Sequence, residues 1–206
     1  MIDGLFKRYI DPLWERAATP LVRAGATPNQ VTLAGLLLVT AASAAFLWHE
    51  SLLAFGASLA LSFAFDALDG AVARSRDMQS LTGGYFDAMA DRYQELAVFL
   101  ALGQVTGLWF LCLAAFSGGV ITSYAKARTA LEIPVTNDDW PDLFERLERI
   151  IFLCALLIVA GLLGSAWLLA AGLGLYALLA HGTSLQRMWR AVGKLRAADD
   201  QRRGVR

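Results

Sequence analysis

A chain of 206 residues that is 57% hydrophobic and 17% charged, with a mean hydropathy of +0.50, is not an ordinary soluble domain. Such a domain carries about 25% charged residues and interrupts its apolar runs more often. The formal net charge of zero hides a segregation: 18 basic and 18 acidic residues are gathered between long uncharged runs. A lipid bilayer is therefore the expected surrounding, and no nucleic acid is expected as a partner.

At the N-terminus, Ile2, Leu5, Phe6, Tyr9, Leu13 and Trp14 recur at helical spacing, with Lys7, Arg8, Asp11, Glu15 and Arg16 on the other side. This predicts an interfacial amphipathic helix over residues 1–26, with Pro12 as a place to bend. Charges stand where a cleavable leader would need an apolar stretch, so none is expected. "TPNQ" then reads as a helix start, with Thr27 as N-cap, Pro28 in the first turn and Gln30 closing a capping box.

Val31 to Trp48 and Ser51 to Phe65 are apolar or weakly polar throughout. Leu96 to Ala125 and Ile150 to Ala180 carry no charge, and each is long enough for two crossings of about 20 residues. Gly103 to Gly107 and Gly161 to Ser165 supply turns that divide them. The predicted fold is all-α, a single membrane domain over 1–206 with six transmembrane helices at about 29–48, 52–75, 83–103, 108–131, 142–162 and 166–189. In that arrangement all 18 Lys and Arg fall on one side. The positive-inside rule makes that side, and both termini, cytoplasmic, in a multi-pass protein of the cell (inner) membrane.

Cys112 and Cys154 lie alone in apolar runs and read as buried thiols. His49 and His181 have no nucleophile beside them in the sequence, and the tryptophans fall mostly near span ends.

Against this background the stretch "SFAFDALDGAVARSRDMQSLTGGYFDAMADR" is anomalous, because Asp66, Asp69, Asp87 and Asp91 stand where a membrane helix should hold no charge. A carboxylate in hydrocarbon costs roughly 3 kcal/mol on insertion scales. Asp66 and Asp69 are three apart and Asp87 and Asp91 four apart, spacings that put each pair on one helix face. Gly70 lets a ligand approach the backbone, while Gly83 and Gly84 loosen the next helix start. Four facing carboxylates repel one another unless a cation joins them. Their hard oxygen ligands suit Mg²⁺ or Mn²⁺, and two such ions about 3.5–4 Å apart are common in phosphate chemistry. With Arg74 alongside, the group describes a pyrophosphate site. Helix capping alone would explain one or two of these aspartates, not four.

The run Asp66-x2-Asp69-Gly70-x2-Ala73-Arg74-x8-Gly83-x3-Asp87-x3-Asp91 matches every fixed position of the signature of the CDP-alcohol phosphotransferases. The chain also resembles that family in its six spans, its N-terminal interfacial helix and "TPNQVT" at the opening of the first span. The resemblance implies transfer of a substituted phosphate from a CDP-linked donor to an alcohol with release of CMP, by a metal-dependent homodimer. It implies that Asp66, Asp69 and Asp87 are metal ligands and that Asp91 is the general base and a ligand of a second metal. By the same resemblance Gly70, Arg74, Gly83 and Ser80 belong with the donor cytidine diphosphate, and Asn29 and Thr32 close the pocket from the first span.

Lys126, Arg128, Arg146 and Arg149 could converge on the same cavity mouth as a pocket for a phosphorylated acceptor, or could simply anchor two helix ends at the membrane surface. "SYAKAR" and "DLFERLERI" resemble runs in inositol-phosphate-using members, including prokaryotic phosphatidylinositol-phosphate synthases and archaeal relatives. The expectation is a phosphatidyltransferase acting on CDP-diacylglycerol and inositol phosphate. Glycerol 3-phosphate is the alternative acceptor, and a six-span transporter or Mg²⁺ channel the alternative from another class.

Overall fold

The computed structural model describes residues 2–135 and 142–204, with side chains from residue 13 onward in the first part. It consists of helices α1 (Ile2–Arg23), α2 (Pro28–His49), α3 (Leu52–Asp66), α4 (Leu68–Ser75), α5 (Leu81–Thr106), α6 (Trp109–Ala130), α7 (Arg146–Leu163) and α8 (Ala166–Gly204). The side chains of Ile2, Leu5, Phe6 and Tyr9, on which the amphipathic reading of α1 rests, lie outside the described residues.

Thr27 caps α2 by accepting from the backbone N–H of Gln30, and the Gln30 side chain returns to the Thr27 N–H at 2.9 Å. Both halves of the capping box are formed, and this fixes where α2 begins. Three tight turns reverse the chain through left-handed residues: Glu50 after α2, Gly107 after α5 and Gly164 after α7. The aspartates gather at the other end of the bundle, where α3 passes into α4 and α5 begins.

The main core is a layer of apolar side chains between α2, α3, α5, α6, α7 and α8. Phe46 and Phe55 stack at 4.2 Å, and Tyr176 packs edge-on against Phe99 and Phe144. Gly118 of α6 lets α8 come close, since a Cβ there would meet Ala180 at 2.8 Å. Cys112 and Cys154 are buried free thiols. His181 Nε2 lies 3.0 Å from the Ala114 carbonyl, a contact between α8 and α6. A smaller cluster ties the second half of α1 to α2 and α4 through Ala18, Val31, Leu68, Ala71 and Val72. Around the outside, Leu37, Leu61, Phe110, Leu113, Leu162 and Leu178 are exposed, as in a protein surrounded by lipid.

Among the described residues four helical stretches are long and apolar enough to cross a membrane: Pro28–His49, Leu52–Ser75 (α3 and α4 taken together), Trp109–Ala130 and Ala166–Gly204. The stretches expected to span at 83–103 and 142–162 are helical over much of their length but fall short of that standard. The reason is visible in their sequence: α5 carries Asp87, Asp91, Arg92 and Glu95, and α7 carries Arg146, Glu148 and Arg149. Most of these charges are turned toward one another inside the bundle.

Candidate active site

The run 52–75 is not one helix. It breaks at Ala67, leaving Asp66 as the last residue of α3 and Asp69 in the first turn of α4. Both carboxylates lie against α2, but they have different hydrogen-bond partners. Asp66, 3% exposed, points among α5 and α7, where one carboxylate oxygen each from Asp66, Asp87 and Asp91 lie within 4.8 Å of one another. Asp69 is held to α2 by a hydrogen bond, the Thr32 hydroxyl donating to its Oδ2 at 2.6 Å. Its Oδ1 accepts from the Gly70 N–H at 2.5 Å.

Arg146, from the first turn of α7, is inserted among the three aspartates. Its Nη2 lies 3.2 Å from Asp66 Oδ2 and 2.6 Å from Asp91 Oδ1, and it donates to Gln94 Oε1 at 2.7 Å. The Phe63 ring lies beneath its guanidinium. Arg92 Nη2 stands 3.8 Å from Asp91 Oδ2 as well, so two guanidinium groups face three carboxylates. Asp66 Oδ1 is buried without a hydrogen-bond partner among the described residues, and the short Arg146 contact to Asp91 Oδ1 is an ion pair without hydrogen-bond alignment. Buried carboxylate oxygens are ordinarily paired, so an orphan of this kind requires an explanation. Three hard oxygen donors converging within reach of one ion fit a divalent cation such as Mg²⁺ or Mn²⁺.

Beside the trio lies a cavity of about 440 Å³ between the start of α2, the Asp69–Ala73 turn of α4 and the start of α5. Asn29, Thr32, Asp69, Gly70, Ser80, Gly83 and Asp87 line it. Ser80 caps α5 by accepting from the Gly83 N–H at 3.0 Å. A Cβ on Gly83 would press on Ser80 Oγ at 3.0 Å and Asn29 Oδ1 at 3.4 Å, narrowing the space between the two helix starts. Arg74 is not in the lining, although its Nη1 approaches position 70. Asp87 belongs both to the carboxylate trio and to the cavity wall, so the two features adjoin.

The four cations offered for an acceptor pocket or for surface anchoring have different ion-pair partners among the described residues. Arg146 alone joins the aspartates. Arg149 is buried against Glu95 Oε1 at 3.1 Å, a carboxylate that Arg92 also pairs with at 3.3 Å. Lys126 lies beside Arg187, Glu145 and Asp142. Arg128 pairs with Glu132 at 2.7 Å and lines a second cavity, of about 420 Å³, between the end of α6 and the far end of α8. Sequence reasoning did not find Gln94, Glu95 or the Asp142–Arg187 pair. Glu95 carried a signal, as a further acid one turn beyond Asp91 on a helix that ought to be apolar.

A model of the CDP-alcohol phosphatidyltransferase family matches residues 26–181 of the chain. The chain belongs to the CDP-alcohol phosphatidyltransferase family. This member is 35% identical to the archaetidylinositol phosphate synthase of Methanothermobacter thermautotrophicus, over 89% of both chains. It is 33% identical to the phosphatidylinositol phosphate synthase of Mycobacteroides abscessus, over 89% of this chain and 83% of that one. Its fold matches the crystal structure of the Mycobacterium tuberculosis phosphatidylinositol phosphate synthase with CDP-DAG bound, with a TM-score of 0.76 and 28% identity over 87% of this chain and 94% of that one. The same mycobacterial enzyme has been solved in complex with manganese and citrate, with a TM-score of 0.76 and 28% identity over 86% of this chain and 88% of that one. This CDP-alcohol phosphatidyltransferase thus carries the acidic cluster and the adjoining cavity within the matched segment.

Proposed function

We propose that this family member is a phosphatidylinositol-phosphate-type synthase of the cytoplasmic membrane, transferring a phosphatidyl group from CDP-diacylglycerol to a hydroxyl of inositol phosphate and releasing CMP. The observation that carries the reading is the adjacency through Asp87 of a nucleotide-sized cavity and a carboxylate trio fit for divalent metal. The names of the relatives support the acceptor: they share inositol phosphate and differ in the lipid part. The reading extends to six crossings with α5 and α7 included, an interfacial α1, both termini cytoplasmic, and a homodimer.

Asn29, Thr32, Gly70, Ser80 and Gly83 receive the cytidine diphosphate, with Arg74 at the edge of that group. Asp66, Asp69, Asp87 and Asp91 would hold Mg²⁺ or Mn²⁺, as two ions, with Asp69 reaching in from the cavity side. Bound there, the metal offsets negative charge on the pyrophosphate oxygens. Thr32 orients Asp69 through its hydrogen bond, and Arg146 holds Asp66 and Asp91 together across the site. In the reaction a bond forms between the acceptor hydroxyl oxygen and the phosphatidyl phosphorus. The bond from that phosphorus to the bridging oxygen breaks, and its electron pair leaves with CMP. The hydroxyl proton passes to the Asp91 carboxylate. Of the four cations named for the acceptor phosphate, Arg146 is the one in contact with this base, so the acceptor enters on its side, with Lys126, Arg128 and Arg149 set further from the trio.

The test is CMP release by purified protein with CDP-diacylglycerol and a panel of inositol phosphate, glycerol 3-phosphate, inositol and serine. Inositol phosphate should be used at the highest kcat/KM. Preference for glycerol 3-phosphate would replace the acceptor and keep the reaction, whereas absence of CMP release with every alcohol would reject both.

A further inference from the structure

Gly35 lies within α2, where a glycine is less favourable than an alanine because it orders more backbone freedom and contributes no side chain. Its place becomes intelligible from what stands opposite. A Cβ at position 35 would overlap Oδ1 of Asp66 and lie only 2.8 and 2.9 Å from the Asp66 Cβ and Cγ. The whole Asp66 side chain therefore rests on the bare backbone of α2. Both residues are buried, and Asp66 Oδ1, the oxygen nearest Gly35, is the one with no hydrogen-bond partner among the described residues. Three residues earlier on the same face, Thr32 donates to Asp69. One face of α2 thus meets both carboxylates that flank the break at Ala67, gripping one with a hydroxyl and making room for the other.

We propose that Gly35 is a positioning residue for metal binding: its missing side chain sets where the Asp66 carboxylate stands in the trio. The proposal rests on Asp66 being a metal ligand. An added methyl at position 35 has to push Asp66 toward Arg146, or push α2 away from α3, and either displaces the carboxylate from Asp87 and Asp91.

The experiment compares purified wild type, Gly35→Ala, Asp66→Ala, the Gly35→Ala/Asp66→Ala double variant and Gly174→Ala. Gly174 is a control, because a Cβ there meets nothing within 4 Å. Two readouts are taken in detergent: melting temperature, and Mn²⁺ binding followed by the electron paramagnetic resonance of the free ion. Gly35→Ala should weaken Mn²⁺ binding at least about tenfold, within the range that displaced supporting groups typically cause, while Gly174→Ala matches wild type. Gly35→Ala should cost melting temperature when Asp66 is present and cost none when Asp66 is alanine. If Gly35→Ala does not fold, recovery of folded protein on adding Asp66→Ala supports the same contact. Unchanged Mn²⁺ affinity in Gly35→Ala, or a folding loss that Asp66→Ala fails to relieve, overturns the proposal. Wild-type Mn²⁺ affinity in Asp66→Ala would instead remove the metal reading on which it rests, leaving the melting-temperature comparison as a measure of the contact alone.

Discussion

Arg146 and Arg187 each hold a buried aspartate supplied by another part of the chain, and they differ in what is left over. Arg187 of α8 grips Asp142 Oδ2 with Nε at 2.6 Å and Nη2 at 2.5 Å, and gives Nη1 to the Thr122 carbonyl of α6 at 2.7 Å. Arg190 approaches the second oxygen, Asp142 Oδ1, at 3.4 Å. Every strong group there has a partner, and the result ties the segment before α7 to α6 and α8. Around Arg146 a single nitrogen serves Asp66, Asp91 and Gln94, and Asp66 Oδ1 is left over. A satisfied buried pair holds the bundle together, whereas a cluster with a carboxylate oxygen to spare has a donor free for a cation.

The largest expected effects separate these roles. Asp66→Asn and Asp87→Asn should each reduce turnover to background while leaving the melting temperature unchanged or raised, since an amide relieves repulsion but offsets less cationic charge. Assays of CMP release alongside thermal melts would show it, and EDTA should stop the wild-type reaction, with Mg²⁺ or Mn²⁺ restoring it. Asp91→Asn should lower kcat by about 10²–10⁴-fold, the usual contribution of a general base, with CDP-diacylglycerol affinity largely kept. A parallel collapse in donor binding would count Asp91 among the primary ligands instead.

Asp142→Ala should do the reverse. It leaves the Arg187 guanidinium buried without its carboxylate, a change that typically costs about 3–5 kcal/mol of stability, while Mn²⁺ affinity of the folded fraction stays put. Equal loss of metal binding and stability would erase the contrast between the two clusters. Thr32→Val should cost less, about 1.5–3 kcal/mol in kcat/KM for the donor, as for a hydrogen bond to a charged group. The smallest effect belongs to Arg128→Ala. Its pair with Glu132 is about half exposed, so about 0–1 kcal/mol of stability is at stake and both KM values should hold. A raised acceptor KM in that variant would bring Arg128 back to the acceptor side.

What could be read from the sequence was local. The capping box at Thr27 and the spacing of the aspartates depend on residues within a turn or two, where helix geometry converts spacing into direction. The partners of Arg187 and Arg146 lie 45 and 80 positions away, at Asp142 and Asp66. Helical spacing alone does not rank those choices, so the reading that gathered Lys126, Arg128, Arg146 and Arg149 had charge right and neighbours open. Gly35 gave no sign, because small residues are common throughout the apolar runs and only the opposing side chain distinguishes this one. The charges on α5 and α7 were legible, but their effect was not: they pair inward and make two helices less apolar than the crossings they were expected to form.

The break at Ala67 also bears on which lesions the chain can survive. Each residue of an α-helix advances the direction of its side chain by about 100°. Inserting or deleting one residue between Asp66 and Asp69 would therefore swing Asp69 away from Thr32 or carry Asp66 out of the trio, even with every functional side chain still in the sequence. The loop joining α4 to α5 carries no carboxylate of the trio and is held through Arg76, which donates to the Gly25 and Ala26 carbonyls before the chain reaches Ser80. Length changes should be lethal to activity on one side of α4 and graded on the other, so a scan of single-residue insertions across 66–80 would trace the phase of the chain as directly as substitutions trace its chemistry.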